Sequence, residues 1–185
     1  HVLRDGLGYG DSSMGGGRRV NVEYVSANPT GPLHVGHGRQ GAIGDAIAGL
    51  LDWTGWSVSR EYYYNDAGRQ MRLLGESVYT RYMEILGKEA ELPENGYEGE
   101  YIRDIAQEIF SDHNDSLKDD GENLIFKEKA EETIFAHIRK TLGKWLISME
   151  TLFRQPCMHP RMHLCIVSRH GCLVPGSLIT MESII

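Results

Sequence analysis

Two histidines three residues apart, His34 and His37, flank Gly36 in the stretch NPTGPLHVGHGR (28–39). At that spacing both rings lie on one face of a helix's first turn. Gly36 carries no side chain, so a flat ring or a phosphate can approach the backbone there. Pro29 and Pro32 stiffen the approach to the helix. The helix N-terminus behind them offers unpaired N–H groups and the positive end of its dipole. These features suit a triphosphate whose α-phosphorus is attacked. Imidazole N–H groups bond the phosphate oxygens as charge builds, and no covalent step by the protein is required. The plainer alternative is a helix that happens to begin with two histidines and a glycine. No GxxxxGK[ST] occurs, and GLGYGDSSMGGG (6–17) precedes the first strand instead of following one, so neither a Walker loop nor a dinucleotide fingerprint is present.

The elements that must position these residues follow from periodicity. VNVEYV (20–25) alternates and is β-branched, which predicts a strand, and SANPTGPL (26–33) is loop. A helix is expected from about His34 to Thr54, with Ile43, Ile47, Leu50 and Leu51 on its inward face and Gly55 as its stop. SVSREYYY (57–64) reads as a second strand, more of core than of a base-stacking platform at Tyr62, Tyr63 and Tyr64, and NDAG (65–68) as a turn. Strand, helix and strand make a βαβ unit, hence a parallel pair whose ligands sit at the carboxyl ends of the strands. Three more helices are expected. One, at about 67–86, buries Met71, Leu74, Val78 and Ile85. Another, at about 99–111, buries Ile102, Ile105, Ala106 and Ile109, and the last, at about 124–142, lines up Ile134, Ile138 and Leu142. Residues 87–98 and 112–123 join them as loops, and the Gly/Ser-rich residues 1–19 read as a linker from something upstream.

The 185 residues allow one domain or one large domain and a remnant of another. With 41% hydrophobic and 24% charged residues, composition excludes a disordered or collagen-like chain. No apolar run approaches the ~18 residues of a membrane span. Nothing near His1 resembles a signal peptide, so a soluble, cytoplasmic chain lacking its own start is expected. A net charge of −7 argues against gripping nucleic acid by charge alone. Composition shifts near residue 143. Residues 144–185 hold only Glu150 and Glu182 against Lys144, Arg154, Arg161 and Arg169, and they contain all three cysteines.

VNVEYVSANPTGPLHVGHGR resembles the signature of class I aminoacyl-tRNA synthetases, whose HxGH tetrad it carries, and the flanking residues are similar to those of arginyl-tRNA synthetase. Four further segments match its bacterial branch: GDAIAGLLDWTGWSVSREYYYNDAGRQM, LLGESVYTRYMEILG, GYEGEYIRDIAQEI and the helix ending in KTLG. The similarity runs from about residue 7 to 143. It implies an α/β fold, a partial Rossmann-like class I catalytic domain (20–143) with a largely helical insertion. It implies ATP, L-arginine and tRNA as partners, with Mg2+ on the triphosphate of ATP, no protein-bound metal and no membrane. Arginine's carboxylate would attack the α-phosphate, and the arginyl group would pass to the terminal adenosine of its tRNA. The signature region is Ala27, Asn28, Pro29, Thr30, Gly31, Pro32, Leu33, His34, Val35, Gly36 and His37. Within it the resemblance assigns His34, Gly36 and His37 to ATP, and Asn28 to the substrate's amino or carboxylate end. Glu23, just before it, would face the guanidinium.

Two readings stand at several of these residues. A carboxylate near a strand's end is costly to bury without a cation, and a guanidinium is a bidentate partner for it; alternatively Glu23 faces solvent on an edge strand. Asn28 either binds substrate or caps its loop. Asn65, Asp66 and Gln70 are weaker site candidates, since NDAG is also an ordinary helix N-cap with Asn65 or Asp66 as cap. Arg39 either touches phosphate or tRNA or is a surface arginine.

After Gly143 the family would continue into another sheet strand. Here KWLISMETLFRQPCMHPRMHLCIVSRHGCLVPGSLITMESII shows no similarity, and out-of-frame translation or a lineage-specific tail is expected. The KMSKS-type loop, the later tyrosine and aspartate of the arginine pocket and the helical anticodon-binding domain are absent from these residues. Cys157, His159, His163, Cys165, His170 and Cys172 lack any standard zinc spacing. The expectation is an arginine–tRNA ligase fragment inactive on its own and, short of sheet partners, marginally stable. The rivals are another HxGH-type adenylyltransferase and a non-catalytic truncated relative.

Overall fold

Alternation at Val20 and Val22 puts both valines under a helix layer and makes a strand, β1 (Arg19–Glu23). The computed structural model describes residues 1–66, 68–121, 124–147 and 149, and the backbone alone of 151–155 and 176–180. Helix α1 (Val2–Asp5) and a 3-10 turn (Gly6–Gly8) precede β1. Then come α2 (Val35–Trp53), β2 (Ser57–Asn65), α3 (Arg69–Ile85), α4 (Glu100–His113) and α5 (Leu124–Lys144), followed by β3 (Thr151–Gln155) and β4 (Gly176–Thr180). The four strands form one parallel sheet in the order β3-β2-β1-β4, with Val20 opposite Val58 and Glu23 opposite Glu61. From β1 the chain runs one way to β2 and β3, and β4 pairs on the other side. The loop leaving β1 therefore opens at a topological switch point, the place where α/β sheets take their ligands.

The expected strand 20–25 ends two residues early because Val25 and Ser26 turn to positive φ (68° and 41°). On α2 the expectation is corrected at Leu50, which is exposed. Ile43, Ile47 and Leu51 pack half-buried against the core, and the fully buried positions are Gly41, Gly44 and Ala48. The helix lies so close to β1 that a Cβ on Gly44 would run into the Tyr24 ring, and one on Gly41 would come within 2.7 Å of the Ile147 side chain. An apolar periodicity count misses a face built of glycine. The Tyr24 hydroxyl donates to Asp45 of α2 at 3.2 Å, and Arg60 of β2 reaches the same carboxylate oxygen at 3.6 Å.

The glycine-rich stretch before β1 is anchored at its second half. N–H groups of Ser12, Gly15 and Gly17 donate to the carbonyls of Trp53, Thr54 and Gly55. These partners satisfy the acceptors that a helix end leaves open. The Arg18 guanidinium stacks 4.2 Å over Trp56.

Helices α3, α4 and α5 pack on one another as the helical insertion. All the residues expected inward on α4 and α5 are buried, as are Met71, Leu74 and Val78 of α3. Tyr82, Phe110, Phe126 and Tyr79 form an aromatic centre, with ring pairs 5.2–6.3 Å apart. The Tyr82 and Tyr79 hydroxyls tie down the acidic connection through the carbonyls of Asn114 and Lys118. Phe135 of α5 meets Tyr64 (4.2 Å) and Tyr62 (6.3 Å), which docks the helical unit on the carboxyl half of β2. Of the three strand tyrosines Tyr62 is fully buried and the other two half-buried, as a core strand requires.

Candidate functional site

The loop between β1 and α2 begins with strain. The Ser26 N–H bonds the Tyr24 carbonyl at 3.0 Å across Val25, whose φ of 68° is hostile to a β-branched residue. Such a turn costs on the order of 1–3 kcal/mol and persists only where its surroundings over-determine it. They do so here. Ser26 Oγ donates to Glu23 Oε1 at 2.9 Å and accepts from the Tyr63 N–H at 3.2 Å. The Tyr62 hydroxyl donates to the Ala27 carbonyl at 2.7 Å. Asn28 Oδ1 accepts from the Asn65 N–H, and its Nδ2 donates to Gln70 Oε1, both at 2.9 Å. Farther on, the Tyr101 hydroxyl of α4 donates to the Thr30 carbonyl at 2.8 Å. Burial pushes the Tyr62 and Tyr101 phenols up, so both stay donors at neutral pH.

At the loop's far end the two histidines cap their own helix. His34 is the N-cap of α2, and its Nδ1 accepts from the Gly36 N–H at 3.1 Å. His37 reaches back, and its Nδ1 accepts from the His34 N–H at 3.2 Å. This is a capping box made of imidazoles, with ring centroids 3.8 Å apart. A Cβ on Gly36 would come within 2.9 Å of the His34 ring, so the glycine makes room for the cap itself. An Nδ1 that accepts a hydrogen bond carries no proton, so each neutral ring holds its hydrogen on Nε2. Desolvation, then the neighbouring His34, lowers the His37 pKa from its ordinary value. Two Nε2–H donors beside a helix N-terminus suit an anion.

The structure divides the expected residues into two groups, one at each end of the loop. Asn28, Asn65 and Gln70 come together, and His34, Gly36 and His37 come together. Glu23 is half-buried and tied to Ser26, and its charge adds to burial in raising the Tyr63 phenol. Asn28 ties the loop to β2 through its Oδ1 and to α3 through its Nδ2. The expected cap at Asn65 or Asp66 is corrected: the N-cap of α3 is Gly68, with no side-chain cap, because Asn65 still belongs to β2 and Asp66 is buried. Arg39 is exposed on α2. Ser26 and Tyr101 went unread in the sequence. Ser26 had its place in the loop as a signal, whereas Tyr101 lies 71 residues from its partner and had none.

An open groove of about 460 Å³ lies elsewhere, between Tyr64 and the α5 face bearing Glu128, Glu131, Glu132 and Arg139. It includes no loop residue. Among the described residues no group of three or more His, Cys, Asp or Glu side chains could hold a metal ion. The Cys/His-rich stretch weighed for zinc (157–172) lies outside them. No helix among them is long and apolar enough to cross a membrane.

Comparison with known proteins agrees with this geometry. Residues 2–151 match the family model of the class I tRNA synthetase (R) catalytic domain, a longer stretch than the 7–143 read from the sequence. The arginine–tRNA ligase of Chlorobium limicola is 51% identical over 159 residues, 86% of this chain and 29% of that protein. That of Desulfotalea psychrophila is 49% identical over 163 residues, 88% of this chain and 30% of that protein. A crystal structure assigned as an arginyl-tRNA synthetase from Campylobacter jejuni superposes with a TM-score of 0.75 at 30% identity, covering 90% of this chain and 37% of that one. The chain thus spans 29–30% of the length of these curated relatives. With the family model covering most of its length, and HxGH capping the helix after the first strand of a parallel sheet, the chain belongs to the arginyl class I tRNA synthetase catalytic-domain family.

Proposed function

We propose that this segment is the part of an arginine–tRNA ligase that binds ATP and the substrate arginine, in the cytoplasm. The observation that carries the reading is the pair of Nδ1-accepting imidazoles at the start of α2. Arginine's carboxylate oxygen forms a bond to the α-phosphorus of ATP, the bond to the bridging oxygen breaks, and pyrophosphate leaves. His34 and His37 donate from Nε2 to phosphate oxygens, where charge grows in the transition state. Mg2+ travels with the triphosphate as part of the substrate.

Glu23 meets the guanidinium. Its Oε1 accepts from Ser26, which turns the carboxylate, and a guanidinium is a bidentate, charge-assisted partner for a carboxylate. Asn28, Asn65 and Gln70 shape the end that takes the amino and carboxylate groups, and tRNA receives the arginyl group at its terminal adenosine.

The test is a graft. Residues 2–151 replace the corresponding segment of the Chlorobium limicola relative, and ATP–pyrophosphate exchange is measured with each of the twenty amino acids in the presence of tRNA. Exchange dependent on arginine is the expected result. Activation of another substrate without tRNA would favour a different HxGH adenylyltransferase, and no activation at all would sink the reading.

A further inference from the structure

We propose that Tyr101, on the helical insertion, is a positioning residue that sets the two phosphate-facing histidines relative to the arginine end of the same loop. The inference rests on the function proposed above and deepens it.

The loop has two kinds of anchor. Residues 26–28 are held by β2 through the Tyr63 N–H, the Tyr62 hydroxyl and the Asn65 N–H. Thr30 is held by α4, through the 2.8 Å bond from Tyr101. Between these anchors the Thr30 N–H closes a tight turn on the Asn28 carbonyl across Pro29. Beyond them Pro32 stiffens the chain into the His34 cap. The Thr30 carbonyl is therefore the point from which the segment 30–37 is aimed.

The contact is built on both sides. A Cβ on Gly31 would lie 3.0 Å from the Tyr101 hydroxyl, and one on Gly99 would run into the Tyr101 ring. Glycine at both places lets the phenol reach the loop. The segment leading to α4 is itself fixed, since the Tyr97 N–H donates to Ser77 Oγ of α3 at 2.9 Å. Each half of the site keeps its own contacts without the Tyr101 hydroxyl. What loosens is the distance between them, and displacement of reacting groups by about 1 Å can cost on the order of 100-fold in rate.

Two measurements test this. In the 185-residue chain, Tyr101→Phe keeps the ring and removes the donor. Hydrogen exchange should then quicken about fivefold at the amides of 30–37, as one lost hydrogen bond allows, with 26–28 and α4 unchanged. Unchanged exchange at 30–37, or uniformly fast exchange before substitution, overturns the proposal. In the graft described above, the same substitution should lower kcat for arginine-dependent exchange about tenfold while KM for ATP and arginine stays within about twofold. An unaltered kcat, or a loss confined to KM, overturns it. An unsubstituted graft that activates no amino acid counts against the proposed function alone, because exchange in the chain still reads whether Tyr101 holds the loop.

Discussion

His37 serves its own backbone before it can serve a phosphate. Its Nδ1 lone pair accepts from the His34 N–H, so the ring must stay neutral for the cap to hold. Desolvation and His34 both push its pKa below the ordinary 6.5. Above pH 6.5 the ring is neutral in folded and unfolded chains alike, and the cap contributes in full. As pH falls from 6.5 towards the folded pKa, the unfolded chain takes the proton first, and stability is lost until pH passes below the folded value. Nitrogen-15 NMR of the imidazoles should show His37 with Nε2 protonated, Nδ1 bare and a midpoint below 6.5. A midpoint at or above 6.5, or an Nδ1–H tautomer, would refute the capping account. Replacing His37 by Ala in the graft should lower kcat by about 10²–10³ and KM for ATP far less, because the donor acts on charge that develops in the transition state. Lost affinity with an unchanged kcat would contradict that role.

At the scale of the element, α2 shows why glycine can be a core residue. Gly44 and Gly49 share this helix, yet their surroundings differ: a Cβ on Gly44 meets the Tyr24 ring, and one on Gly49 meets nothing within 4 Å. Gly44→Ala should therefore destabilise the chain by about 1–3 kcal/mol through overpacking. Gly49→Ala should stabilise it by about 0.5–1 kcal/mol through helix propensity. Urea midpoints of the two variants settle the matter, and equal shifts of one sign would mean that α2 does not lie close on β1. The same helix shows what could be read in advance. The amphipathic patterns of α3, α4 and α5 named residues that are buried, Ile85 being half-buried, because an apolar stripe is a local, periodic signal. On α2 the pattern found Ile43, Ile47 and Leu51 against the core but missed Gly41 and Gly44, since a close approach is made by side chains that are missing. The strand-loop-helix order located His34, Gly36 and His37 at the carboxyl end of β1. It could not reveal that Asn28 joins Asn65 and Gln70, or that Tyr101 holds Thr30, because those contacts are set by the packing of distant elements.

For the whole molecule, the sheet order β3-β2-β1-β4 puts the histidine cap at a switch point, where a nucleotide can lie across the carboxyl ends of the strands. On that edge the described chain offers imidazole N–H groups at the start of α2 and a carboxylate from Glu23. In the family the chain resembles, a second loop of KMSKS type closes on the triphosphate, and these 185 residues contain no such sequence. Binding and catalysis should then separate. Donors already fixed by the cap should hold ATP weakly, with Kd on the order of 1 mM or above, near 4 kcal/mol of binding free energy. Acceleration needs charge stabilisation on all sides of the transferring phosphorus, and half a set of donors leaves the barrier largely in place. The chain alone should thus give a saturable phosphorus-31 NMR shift with ATP that His34→Ala and His37→Ala both abolish. It should give no arginine-dependent ATP–pyrophosphate exchange above the blank, with or without tRNA. Measurable exchange by the chain would mean that the histidine cap and Glu23 suffice. A nucleotide shift indifferent to both histidines would move the ATP site away from the start of α2.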